Sequence, residues 1–245
     1  LICQLLSVGD KIVIPHDCYG GSYRLFIHLA KRGQFDVIVI DQSNEEELQQ
    51  ALAQSPKLVL IETPSNPLLR LVDIEKIASA SKQVGAIVAV DNTFLSPILQ
   101  QPLALGADIV FHSTTKYING HSDVVGGVLV TKEQTLGEEL AWWANCIGIT
   151  GAAFDSYLAL RGLKTLPVRI RQHQENANAV ATFLKGHSAI EQVYFPGLHD
   201  HPQHQLAKKQ QQGFGAMMSF ELKGGVEAVK SLFDNLSIFT LAQSL

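Results

Sequence analysis

The chain has 245 residues, 46% of them hydrophobic and 17% charged, a balance that fits a globular protein able to bury one large or two modest cores. Its net charge of −4 and pI near 6.1 lack the basic surplus that neutralising a phosphate backbone requires, so no nucleic-acid partner is expected. Apolar runs of roughly half a dozen residues fall short of the ~20 that a membrane span needs, and the opening LICQLLSVGDK has neither a cationic start nor a cleavage pattern, so a soluble cytoplasmic protein is expected.

In chain order, the β-rich runs are KIVIP (11 to 15), FDVIVID (35 to 41), KLVLIE (57 to 62), AIVAVD (86 to 91), DIVFHS (108 to 113) and GVLVT (127 to 131). Each is followed by a stretch with helical apolar spacing, which predicts crossover units and a mostly parallel sheet. The runs are nearly continuously apolar rather than alternating, so helices should cover both faces. The best-defined helix runs from Ile74 to about Val84, with Asp73 as its N-cap and Gly85 as its stop. Trp142 and Trp143 read as packing or subunit contact. From Ala152 to about Lys185 the pattern is helical, interrupted by Gly162 and Pro167, after which strands return at QVYFP (192 to 196) and AMMSFEL (216 to 222). That change puts a boundary near 160 to 170, a packed helix rather than a tether, dividing the chain into domains 1–163 and 164–245. Both ends are abrupt, so the chain reads as truncated at each.

Cys3, Cys18 and Cys146 are widely separated and odd in number, which predicts free thiols rather than a disulfide framework or a zinc ribbon. His199, His201 and His204 match no strong ligand spacing and read as a surface loop, so no metal is expected. His112 and His121 read as residues that orient their loop.

Three strands run into polar loops at their carboxyl ends: KLVLIE into TPSNP, AIVAV into Asp91-Asn92-Thr93, and DIVF into His112-Ser113-Thr114-Thr115-Lys116. In doubly wound sheets that edge is where ligands bind. Asp91 follows a run of small and branched apolar residues, where an ionised carboxylate needs a hydrogen-bonded cationic partner; the plainer reading is a helix cap or turn residue. Lys116 is, by position alone, one of nineteen basic residues. Ser113 and Thr115 hydroxyls suit a phosphate, although such residues also make local turn bonds.

The stretch from Asp108 to Ser122, DIVFHSTTKYINGHS, resembles position for position the cofactor-lysine signature of the Cys/Met-metabolism enzymes that use pyridoxal 5'-phosphate (PLP). ETPSNP (62 to 67), VDNTF (90 to 94), LGADIV (105 to 110), GHSDVVGG (120 to 127) and YLALRGLKTL (157 to 166) follow in that family's order over essentially the whole chain. Within the family, DCYGGSYRLF (17 to 26), WWANCIGITGAAFDSYL (142 to 158) and GFGAMMSFEL (213 to 222) are most similar to the cystathionine gamma-synthase branch.

The resemblance implies PLP fold type I, a large α/β domain lacking its N-terminal part and a smaller, incomplete α+β C-terminal domain. It implies that Lys116 carries the cofactor, Asp91 pairs with the pyridine nitrogen, Tyr19 stacks on the ring and assists catalysis, Ser113 and Thr115 bond the phosphate, Asn66 lies near the ring hydroxyl, and Thr93 supports the same edge. Such a site needs an amine of lowered pKa, an acid for the ring nitrogen, neutral phosphate donors and an aromatic face, and the chain supplies each. The implied reaction is gamma-replacement, O-succinyl-L-homoserine and L-cysteine giving L-cystathionine and succinate, in a homotetramer of dimers that share active sites. Alternatives within the family are cystathionine gamma-lyase, O-acetylhomoserine sulfhydrylase and methionine gamma-lyase.

The family's phosphate loop, a Tyr and an Arg reaching a neighbouring subunit, and an arginine for the substrate carboxylate would fall outside Leu1 to Leu245. The chain alone should therefore bind PLP weakly and should not turn over. Gln243 stands where Glu is expected, which bears on substrate choice. A doubly wound dehydrogenase domain would share the strand-helix alternation but needs G-x-G-x-x-G after its first strand, and none follows KIVIP. A scaffold that had lost its cofactor would have no reason to keep Lys116 and Asp91.

Overall fold

The computed structural model describes residues 1–242. Its main sheet has six strands: β1 (Lys11–Pro15), β2 (Asp36–Ile40), β3 (Leu58–Glu62), β4 (Ile87–Asp91), β5 (Ile109–Ser113) and β6 (Gly127–Thr131). The order is β2-β1-β3-β4-β5-β6. All six agree with the predicted runs to within one residue at either end. The first five are parallel, whereas β6 runs antiparallel to β5.

Helices α1 (Gly20–Lys31), α2 (Glu45–Leu52), α3 (Ile74–Gln83) and α4 (Ser96–Leu99) lie in the connections between the parallel strands, and α5 (Gln134–Cys146) follows β6. Local chemistry sets their ends. The Asp73 carboxylate accepts the Lys76 N–H at 3.0 Å, the N-cap bond, and Gly85 takes the left-handed φ of +74° that stops α3. Between them Ile74, Ile77, Ala78 and Ser81 are buried, the spacing of one helix face.

Strand side chains alternate between faces, and two cores result. Val13, Val59, Ile61, Val88 and Val90 pack under α2 and α3, while Ile12, Ile14, Leu58, Leu60, Ala89 and Ile109 face α1, α5 and the 3-10 turn Ile2–Leu5. Full burial of each such aliphatic side chain stabilises by roughly 1.5–3 kcal/mol. A charge at Val88 would sit unpaired between sheet and helices, at a cost of several kcal/mol. Complete cover on both faces holds for the central strands only. The edge strands β2 and β6 leave many side chains open, because the covering helices centre on the inner strands.

The predicted helical stretch is two helices, α6 (Ala153–Leu163) and α7 (Leu166–Gly186), which separate at Lys164-Thr165. Pro167 lies in the first turn of α7, where a missing N–H costs no intrahelical bond. Gly162 does not break α6; a Cβ there would stand 2.3 Å from the Asn119 carbonyl oxygen, so glycine permits the close approach of the Lys116 loop. Strands β7 (Ile190–Tyr194) and β8 (Ser219–Leu222) form a separate antiparallel pair on α7 through Ala177, Ala181, Val193 and Phe195. β7 is displaced relative to QVYFP, because the buried Phe195 leads a turn rather than the strand, and β8 is shorter than AMMSFEL. Helices α8 (His204–Gln210) and α9 (Gly225–Asp234) complete this part.

The expected surface loop of histidines is corrected. His201 and His204 are buried, and the His204 ring stacks on Phe214 with its Nδ1 at 2.8 Å from the Pro196 carbonyl. Among the described residues no helix is long and apolar enough to cross a membrane.

Candidate active site

Alternation along the strands decides which polar residues meet. Leu58, Leu60, Ala89, Ile109 and Phe111 belong to the core on the α1 side, so Glu62, Asp91 and Ser113, each an even number of residues further on, emerge on that side at the carboxyl edge. Register fixes the neighbours: Glu62 pairs with Asp91, and Asp91 with Phe111. His112 turns to the opposite side, where it is buried with Nδ1 unbonded. Burial pushes its imidazole down to about 4, which keeps it neutral.

Asp91 is held by Thr93 in two ways. The Thr93 N–H donates to Asp91 Oδ1 at 2.9 Å and its hydroxyl donates to the same atom at 2.6 Å. The hydroxyl also accepts the Ser113 N–H at 2.9 Å, tying the loops after β4 and β5 together. Burial raises the Asp91 carboxyl's pKa, and the Thr93 bonds oppose that rise. Both Thr93 bonds go to Oδ1, so one oxygen of this buried carboxylate sets its orientation.

Lys116 lies in a π-helical turn, Thr114–Ile118, that starts directly after β5. Its own φ and ψ of −87° and −126° depart from helical values, so the turn kinks at the lysine. Burial lowers the amine's pKa, which favours the neutral, nucleophilic form. The turn is clamped from α7: Arg169 Nη1 donates to the Tyr117 carbonyl at 2.8 Å, and Nη2 donates to the Gly162 carbonyl at 2.9 Å and the Ile118 carbonyl at 3.4 Å. Gly120, at φ +72°, leaves room for that guanidinium; a Cβ would stand 2.1 Å from Nη1.

Tyr19 is the N-cap of α1 and is half-exposed. Its ring lies over Gly21, where a Cβ would come within 2.4 Å of Cε1. Its backbone N–H donates to Glu62 Oε2 at 2.7 Å. Burial, with Asp91 and Asp17 adding repulsion, pushes the Glu62 carboxyl up to about 8, against the pull of that hydrogen bond. The neighbouring Cys18 thiol is pushed up to about 12 by burial and the same carboxylates, so it is inert rather than nucleophilic.

Around this centre, Thr115 Oγ1 accepts the Gly126 N–H at 3.0 Å and lies 3.3 Å from the Gly126 carbonyl it donates to. Asn66 is exposed in the loop after β3, which Ser65 ties to the loop after β1 by a 2.6 Å bond to Asp17. The Ser219 hydroxyl at the start of β8 donates to the Pro67 carbonyl at 2.6 Å, bringing the C-terminal strands to the same loop. Asp91, Thr93 and Ser113 are joined by hydrogen bonds, Lys116 follows Ser113 on the same turn, and Tyr19 reaches Asp91 through Glu62. Asn66 stands in the neighbouring loop after β3, and Gln243 lies outside the described residues. Sequence reasoning missed Glu62 and Arg169; Glu62 ends an apolar strand as Asp91 does, a usable signal, whereas Arg169 looks like any helix-surface cation.

The residues fit PLP: an amine whose pKa burial lowers, an aromatic face, paired hydroxyls, and a buried carboxylate held in place for a protonated ring nitrogen. A cavity of about 1260 Å³ runs along β6, α5 and α6 and is lined mainly by apolar residues such as Val128, Val130, Leu140 and Leu160. Asn92, His112 and Thr114 line its edge, but Glu62, Asp91, Lys116 and Tyr19 do not.

The family model described as Cys/Met metabolism PLP-dependent enzyme matches residues 1–245. The chain is 57% identical over 240 residues to a cystathionine gamma-synthase of Escherichia coli (strain K12), covering 98% of this chain and 62% of that protein. It is 47% identical over 246 residues to a cystathionine beta-lyase of Coxiella burnetii, covering 100% of this chain and 64% of that one. The crystal structure of cystathionine gamma synthase from Xanthomonas oryzae pv. oryzae in complex with aminoacrylate and cysteine superposes with a TM-score of 0.98 at 60% identity, covering 100% of this chain and 63% of that one. The chain thus spans less than two thirds of the length of these relatives.

Proposed function

The chain belongs to the Cys/Met metabolism PLP-dependent enzymes, and on that premise we propose that it is the cofactor-binding portion of an enzyme that replaces the γ-ester of O-succinyl-L-homoserine with the sulfur of L-cysteine. The products are L-cystathionine and succinate. The observation that carries this reading is the hydrogen-bonded edge in which Thr93 joins Asp91 to Ser113, three residues before Lys116. The higher identity to a gamma-synthase, 57%, than to a beta-lyase, 47%, favours replacement over elimination.

When bound, PLP draws electrons from the amino-acid substrate so that hydrogens on the carbons next to its amine become removable. Lys116 would hold the cofactor and would take up and return protons at the substrate, work suited to an amine of lowered pKa. The Asp91 carboxylate would hold the ring nitrogen protonated, and Thr93 keeps that carboxylate in place. The Tyr19 ring would cover one face of the cofactor and exclude water from it. Ser113 and Thr115 would donate to the phosphate, and Asn66 would line the ring hydroxyl. In the net exchange the γ carbon–oxygen bond breaks with its electron pair leaving on succinate, and the cysteine sulfur forms the new bond.

The same reading divides the chain into a cofactor domain, 1–163, and a small domain, 164–245. It extends to a cytoplasmic homotetramer in which dimers share sites. Apolar side chains open to solvent on α5 and α6, Trp142, Phe154, Tyr157 and Leu160, support subunit contacts there.

Product analysis on the full-length protein tests the reaction. O-succinylhomoserine with cysteine should give cystathionine; 2-oxobutanoate whether or not cysteine is present would replace this reading with a lyase.

A further inference from the structure

We propose that Glu62 is a positioning residue of the cofactor site, holding Tyr19 over the cofactor face and setting the charge beside Asp91. The inference rests on the PLP reading of the strand edge and names a group that this reading does not use.

Two independent geometric facts meet at Glu62. It is the last residue of β3 and pairs in register with Asp91, the last residue of β4, so both carboxylates leave the sheet on the same side. Paired strands lie roughly 4.8 Å apart, within reach for two carboxylates to feel each other's charge. Its Oε2 also accepts the Tyr19 N–H at 2.7 Å, across 43 residues of sequence. That bond fixes the N-cap residue of α1, and the glycine at 21 lets the ring settle against the helix start. One side chain therefore connects the acid of the site to its aromatic lid.

A plain hydrogen-bond acceptor for Tyr19 would need no charge. Glu62 instead faces a crowd of ionisable groups: Asp91 on β4, and Asp17, Cys18 and Tyr19 in the loop after β1. Its carboxyl is pushed up to about 8, so it changes charge where an enzyme works, whereas an ordinary glutamate would be ionised throughout. Ionised Glu62 adds negative charge to the edge and favours keeping protons on the cofactor. Protonated Glu62 removes that influence while leaving an oxygen for Tyr19.

Glu62→Gln and Glu62→Ala in the full-length, PLP-loaded protein separate the two roles. Glutamine keeps an acceptor for the Tyr19 N–H but cannot ionise. Its PLP affinity and the circular dichroism of the bound-cofactor band near ~420 nm should stay close to wild type, while the pH midpoint of that band falls by about half a unit or more. Alanine loses the acceptor as well, so PLP should bind about tenfold more weakly and the band's circular dichroism should shrink.

An unmoved midpoint in Glu62→Gln would reduce Glu62 to a structural acceptor and overturn the proposal. Unchanged affinity and circular dichroism in Glu62→Ala would do the same. If Glu62→Ala does not fold, the glutamine midpoint decides alone. Borohydride trapping of the wild type separates the premise from the inference. A labelled Lys116 with inert Glu62 variants sinks the inference alone, whereas an unlabelled Lys116 sinks the site reading and the inference with it.

Discussion

Thr93 spends both its donors on one oxygen of Asp91, and its hydroxyl oxygen at the same time receives the Ser113 N–H. Replacing that hydroxyl by a methyl of the same shape breaks the 2.6 Å bond and leaves the Ser113 N–H without its acceptor. The carboxylate loses orientation and its pKa rises further, because a bond that opposed its burial is gone. Bonds to charged groups are worth about 1.5–3 kcal/mol, so PLP should bind Thr93→Val roughly ten- to a hundredfold more weakly in a fluorescence titration. Wild-type affinity in that variant would remove Thr93 from the site's support.

Lys116→Ala should leave no borohydride-trapped PLP adduct on the protein, and Lys116→Arg should do the same, since arginine keeps the charge but offers no neutral amine. In the wild type, capture of PLP follows the fraction of uncharged amine. Burial lowers the Lys116 pKa, so capture rises with pH and reaches its half-maximum below 10.5, the ordinary lysine value. Mass spectrometry of the reduced protein, read as a function of pH, checks both the residue and the sign. An adduct that persists in Lys116→Ala would move the cofactor to another lysine.

The Arg169 clamp makes the lysine turn vulnerable from a distance. Arg169→Leu strands the Tyr117 and Gly162 carbonyls, two strong charge-assisted acceptors, and should cost about 2–4 kcal/mol. For a chain of this size that is a fall in Tm of roughly 5–15 °C. Gly120→Ala should do comparable harm, because a Cβ at φ +72° would occupy the guanidinium's place. Calorimetry on both variants, alongside PLP affinity, tests whether loss of the clamp loosens the cofactor site as well as the fold. Unchanged Tm in both would mean the turn is held by other contacts.

The parallel strands were legible because continuous apolar runs of five or six residues, each ending in polar groups, admit few other readings. Asp91, Ser113 and Lys116 were visible for the same reason, standing where apolar sequence stops. The antiparallel direction of β6 was not legible, since its composition resembles the parallel strands and direction is set by how the chain returns after the Gly120 turn. Nor was the burial of His201 and His204, which stand among Asp, Pro and Gln and are drawn inward by stacking on Phe214. Glu62 and Arg169 act through contacts 43 and 52 residues away along the chain, distances at which a local pattern carries no signal.

Two buried groups of opposite habit shape how stability depends on pH. Glu62 has its folded pKa raised from 4.5 to about 8, so between those values the folded chain holds a proton that the unfolded chain has released. Stability therefore falls as pH rises through that window, by ~1.4 kcal/mol per pH unit for one such group. Asp91, raised from 3.8, acts in the same direction. His112 is the reverse: its folded value is depressed from 6.5 to about 4, so its contribution is present above 6.5 and is lost as pH falls towards 4. Between 4.5 and 6.5 the histidine offsets one carboxyl, and above 6.5 that offset ends while Glu62 continues to titrate towards 8. The cofactor-free protein should accordingly lose stability from pH 6.5 to 8, and Glu62→Gln should flatten that fall. Saturating PLP should flatten it too, because a protonated ring nitrogen beside Asp91 makes its ionised form the favoured one. Urea midpoints across that range, with and without PLP, give the four slopes. A Glu62→Gln curve parallel to wild type would show that Glu62 ionises freely in the folded protein.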